Sequence, residues 1–110
     1  MSLIAVTVRP RALLRLLREA IDEESVRTWT FDKDGDFTHR SAQWGRAAWF
    51  RPVIADGKII FNILKPMNTS LSTTVYAVYH SELTQVLLAH FDKHCERVSC
   101  SAMPTAGDRV

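Results

Sequence analysis

The apolar positions along the chain change period several times, and each change marks an element. Leu3, Ile4, Val6 and Val8 run through Met1–Arg9 as they would in a buried strand. Pro10 then stands where a helix favours its first position, since the ring presets φ and the missing N–H has no partner in the first turn anyway. Leu13, Leu14, Leu16, Leu17, Ala20 and Ile21 fall on one helical face, with Arg11, Arg15, Arg18 and Asp22 on the other. Glu19, Glu23 and Glu24 crowd the far end against the helix dipole, so this helix is expected to fray near Ser25.

The next stretch reads as strands. Val26–Asp32 is rich in β-branched and aromatic residues, and Asp34-Gly35 is a hairpin signal that should return the chain along Phe37–Ser41. A second such pair, Asp56-Gly57, joins Ala47–Ala55 to Lys58–Lys65. A two-residue loop there puts Phe50, Pro52, Ile54, Ile59, Phe61 and Ile63 on one wholly apolar face. The opposite face then reads Trp49, Arg51, Val53, Ile60, Asn62 and Leu64, which is too apolar to be left freely in water. Beyond the loop at Pro66–Ser72, Thr73–Tyr79 reads as another strand. Ser81 follows as an N-cap for a helix whose apolar side is Leu83, Val86, Leu87, Leu88, Phe91 and Cys95. Arg97–Ala102 suits a last strand.

The predicted order is β-α-β-β-β-β-β-α-β, and hairpins dominate it. This predicts an α+β fold: an antiparallel sheet with two amphipathic helices packed on one face, ferredoxin-like with extra strands. One domain is expected over 1–102, with 103–110 as a flexible C-terminal tail.

Composition refines this picture only slightly. Of 110 residues, 46% are hydrophobic and 24% charged, which is ordinary for a globular domain and argues against disorder. The balance of 14 Lys+Arg against 12 Asp+Glu is too even to point to nucleic acid. No apolar run approaches the roughly 18–20 residues of a membrane span, so no membrane partner is expected. Cys95 and Cys100 make neither a disulfide framework nor a zinc pattern, so reduced thiols and a cytoplasmic location are expected. Nothing in the sequence calls for a cofactor.

Candidates for chemistry are few. His90 and His94 stand four apart, a spacing that lets two imidazoles share a metal, but no second ligand pair accompanies them and no metal site is expected. Together with Tyr79 and His80 they could line a pocket, which is the basis for reading the chain as a small hydrolase or metal-assisted enzyme. Asp32, Asp34 and Asp36 superficially resemble a calcium loop, yet the Gly and Glu positions that such a loop needs do not match. Around Trp44–Arg51, aromatic residues interleave with arginines, and ten of the 14 basic residues are Arg. A two-residue loop at Asp34-Gly35 would also set Trp29 against Arg40. Trp29, Arg40 and Arg46, joined by Trp49 and Arg51, are therefore the basis for an anion- or single-stranded nucleic-acid-binding reading. Against both stands the preferred reading. It is a non-catalytic binding or regulatory domain, a homodimer or the holder of a protein partner, that uses the face of Trp49, Arg51, Val53, Ile60, Asn62 and Leu64.

Overall fold

A computed structural model describes residues 3–110. Met1 and Ser2, which the sequence reading includes in the first strand, lie outside the described residues. The elements are β1 (Leu3–Val6), α1 (Pro10–Asp22), β2 (Trp29–Phe31), β3 (Phe37–His39), β4 (Trp49–Ala55), β5 (Lys58–Leu64), α2 (Thr73–His90) and β6 (Arg97–Cys100). The strands form one sheet in the order β2-β3-β4-β5-β1-β6, with every pairing antiparallel. The fold is α+β, with both helices packed on the sheet.

The β4–β5 hairpin takes the register that its sequence predicts. Ala55 pairs with Lys58, Ile54 with Ile59, Pro52 with Phe61 and Phe50 with Ile63, and Gly57 supplies the positive φ of the turn, at 71°. Phe50, Ile59, Phe61 and Ile63 are completely buried, and Leu3 and Ala5 of β1 join them. Leu13, Leu14, Leu17 and Ile21 of α1 close the core above one part of this floor. Tyr79, Leu83, Val86 and Leu87 of α2 close it above another. Phe50 is the junction, since its ring meets Trp29, Phe61, Tyr79 and His80.

The first hairpin departs from expectation by one residue. Phe31 pairs with Phe37 and Trp29 with His39, not with Arg40. The cause is a three-residue loop. Gly35 N–H donates to the Asp32 carbonyl and Asp32 N–H to the Asp36 carbonyl, while Gly35 takes φ 84°. The Asp32 carboxylate stabilises this turn by accepting the N–H groups of Asp34 and Asp36. His39 therefore stands across from the buried Trp29 and is itself buried, while Arg40, one residue on, is exposed.

The expected strand over Thr73–Tyr79 is instead the first half of α2, and the order becomes β-α-β-β-β-β-α-β. Ser72, not Ser81, caps the helix, and its hydroxyl accepts the Val75 N–H at 3.1 Å. Thr73, Thr74, Val75 and Val78 favour strands by composition. Tertiary packing overrides that preference, because a helix places Val75, Tyr76, Tyr79, His80, Leu83 and Leu87 along one side. Ser81 sits inside the helix with its hydroxyl donating to the Val78 carbonyl.

The C-terminal residues, read from sequence as a tail, are hydrogen-bonded to the sheet. Arg109 N–H donates to the Ile63 carbonyl, its own carbonyl accepts from Lys65 N–H, and the Asp108 carboxylate accepts the Ile63 N–H. They lie parallel to the end of β5, where Leu64 bridges Arg109 beyond the last pairing with β1.

The helix boundary can be checked by substitution. Ser72→Ala should lower the unfolding free energy by about 1 kcal/mol through the lost cap. Ser81→Ala should change it by less than about 0.5 kcal/mol, as for an ordinary exposed site. Urea titration measures both, and the reverse ranking would return the helix start to Ser81.

Candidate binding surfaces

With both helices on one side, the other side of the sheet stays open. It carries Trp49 opposite Leu64, Arg51 opposite Asn62 and Val53 opposite Ile60, and Ile4 of β1 continues the row beside Ile60. Val53 is 41% exposed, while Trp49, Ile60, Asn62, Leu64 and Ile4 are half-buried. Arg51 is exposed but not free. Its Nε and Nη2 donate to the two oxygens of the buried Asp36 carboxylate at 3.1 and 2.8 Å. That hydrogen bond and the charge of Asp36 raise the Arg51 pKa, so the guanidinium stays charged and paired. At the β5 end the C-terminal segment closes on the face, and a Cβ on Gly107 would come within 2.9 Å of the Asn62 side chain.

The four residues of the expected pocket do not converge. Tyr79 and His80 are buried in the middle of α2, whereas His90 and His94 are exposed at and beyond its end. Ten residues of helix separate His80 from His90, a rise of about 15 Å. No group of three or more His, Cys, Asp or Glu among the described residues could hold a metal ion. His80 on the one hand and His94 on the other line different concavities.

Tyr79 has a structural task. Its hydroxyl donates a short hydrogen bond to the Trp44 carbonyl, accepts the His39 N–H and lies 3.1 Å from Thr38 Oγ1. It thereby ties α2 to the chain between β3 and β4. His39, which sequence reasoning missed, sits beside it. Its Nδ1 accepts the Ser41 N–H, which leaves the proton on Nε2, 3.2 Å from Glu82 Oε2. The ring N–H is not well aligned on that oxygen, so the pair is a close polar contact rather than a strong hydrogen bond. Once the helix starts at Ser72, Tyr79 and Glu82 lie three apart on one face, which is the signal that could have found this cluster.

Trp29 is wholly buried, with its ring against His39, Phe50 and Tyr79, so it cannot offer a stacking platform to a base. Arg40 and Arg46 are exposed on the connection that follows β3. The proposed Trp29–Arg40 pair is lost to the one-residue shift of the first hairpin.

Two of the concavities among the described residues take in candidate residues. One, of about 510 Å³, lies where α1 begins and is lined by Arg9, Arg15, Lys93, His94, Cys95 and neighbouring residues. Thr7 holds it together by donating to the His94 carbonyl at 2.7 Å. The Cys95 thiol donates to the Phe91 carbonyl, and burial pushes its pKa up, which disfavours the nucleophilic thiolate. The other, of about 500 Å³, lies between α2 and the end of β6 and includes His80, Thr84 and Cys100.

No helix among the described residues is long and apolar enough to cross a membrane. The fold and its surfaces define an α+β protein with one helix-covered and one open sheet face. Comparison with protein-family models, with curated proteins and with solved structures gives no match.

His80 gives a pH prediction. Burial lowers its pKa, against smaller opposing effects of the Tyr76 carbonyl and Asp108. The unfolded chain takes up this proton near about pH 6.5 and the folded chain only at lower pH. The stability contributed by neutral His80 is thus present above that value and lost as the pH falls below it. Urea unfolding should show wild type losing more stability than His80→Gln between about pH 7.5 and about pH 5.5, either side of the histidine range. Equal losses would contradict the assignment.

Proposed function

We propose that the protein is a non-catalytic binding domain whose open sheet face docks a second copy of the same chain. The observation that carries this reading is the Val53–Ile60 pair at the centre of that face, flanked by Trp49, Leu64 and Ile4. Apolar area left in water forfeits roughly 25 cal/mol per Å². Arg51, the charge in the middle of the row, already has its counter-ion in Asp36, so covering it leaves no unpaired ion. A face of this kind suits an isologous contact, in which two sheets stack about 10 Å apart and each apolar row meets its symmetry mate. With Cys95 and Cys100 as free thiols, the proposal places the protein in the cytoplasm.

The test is the solution mass by light scattering at low and high salt. Wild type should be a dimer at both, because apolar contacts are not screened. Val53→Glu with Ile60→Glu should be a monomer with an unchanged circular dichroism spectrum. A monomeric wild type, or a double variant that stays dimeric, would contradict the proposal. A double variant that unfolds would make this face part of the core and contradict it equally.

A further inference from the structure

We propose that the cavity between α2 and the end of β6 binds a small, neutral, largely apolar molecule that carries one hydrogen-bond donor. It lies on the helix side of the sheet, since Cys100 pairs with the buried Leu3 and its thiol lies 3.2 Å from the Thr84 hydroxyl on α2. The cavity is therefore separate from the open face.

Three features define the ligand. The first is size, because about 500 Å³ lies within the range of small-molecule sites. The second is charge. The wall comprises hydroxyl, alanine, thiol and aromatic groups with no Asp, Glu, Lys or Arg, so an ionic ligand would lose hydration without gaining a partner. His80, its one titratable imidazole, is held neutral by burial.

The third is the donor. His80 Nδ1 lies 2.7 Å from the Tyr76 carbonyl, and a carbonyl can only accept, so Nδ1 carries the ring proton. Nε2 is then a lone-pair acceptor, and it has no partner among the described residues although the side chain is 96% shielded from solvent (4% exposed). Buried acceptors are rarely left unpaired. Tyr76 stacks on the ring with centroids 3.9 Å apart and Phe50 meets it edge-on, and neither ring offers Nε2 a donor. The Tyr76 hydroxyl is already engaged with the Ser101 carbonyl. Nε2 is itself shielded, so the imidazole must turn toward the cavity for a donor there to reach it, and that donor supplies what the protein does not.

Indole and benzothiophene are suitable probes, because they share a shape and only indole has an N–H. Titrated into the full chain and followed by NMR, indole should give saturable shifts centred on Tyr76, His80, Thr84 and Cys100. Its affinity should exceed that of benzothiophene about tenfold, the effect of one hydrogen bond to a buried acceptor. His80→Phe should abolish that difference. Indole should also slow alkylation of Cys100 by N-ethylmaleimide in the wild-type protein while leaving Cys95 unaffected, a readout that survives if the variant fails to fold. Absence of saturable shifts at these residues, equal affinity for the two probes, or unaltered Cys100 alkylation would each overturn the proposal.

Discussion

The pairing of Phe50 with Ile63, set by the two-residue turn at Asp56-Gly57, decides which side chains of the two longest strands are buried. Slipping that register by one residue would set Phe50 opposite Asn62 or Leu64, so that one of the two strands would turn its apolar set into water. Phe50 then determines where the other layers meet, because Trp29 from the sheet edge and Tyr79 and His80 from α2 all pack on its ring. Tyr79 carries the constraint outward. Through the Trp44 carbonyl it holds the chain that leads into β4, so the second helix and the main hairpin stabilise one another.

Much of this architecture was legible in the sequence where local rules agreed with one another. In β4–β5, period-two alternation and an Asp-Gly turn give the same answer, and the pairing follows residue by residue. The first hairpin was less legible, because Asp34-Gly35 suits two loop lengths and the Asp32 carboxylate decides between them. The start of α2 was hidden for a different reason. Its β-branched residues argue for a strand, while the helical spacing of Tyr79, Leu83 and Leu87 only becomes decisive once there is a sheet to pack against. The His39–Glu82 contact and the lone acceptor on His80 are tertiary facts, and no local pattern announces them.

The candidate surfaces divide along the same line. Trp29 and Arg40 looked like a surface pair only under the wrong register, and the histidines looked like a cluster only without the helix that separates them. The six positions Trp49, Arg51, Val53, Ile60, Asn62 and Leu64 do share one side of the sheet, because the register of their hairpin is locally specified. That side carries an aromatic residue, branched aliphatics and one arginine that brings its own counter-ion. The α2–β6 cavity sits on the covered side of the sheet, beside His80, whose Nε2 has no hydrogen-bond partner among the described residues.

On the proposed reading the open face meets its own copy. The most direct measurement is an isotope-filtered NMR experiment on an equimolar mixture of carbon-13-labelled and unlabelled protein, which detects only contacts between chains. A dimer through this face should give intermolecular contacts among the methyl groups of Val53, Ile60, Leu64 and Ile4 and the ring of Trp49. Intermolecular contacts confined to the helices, or none at all, would contradict it.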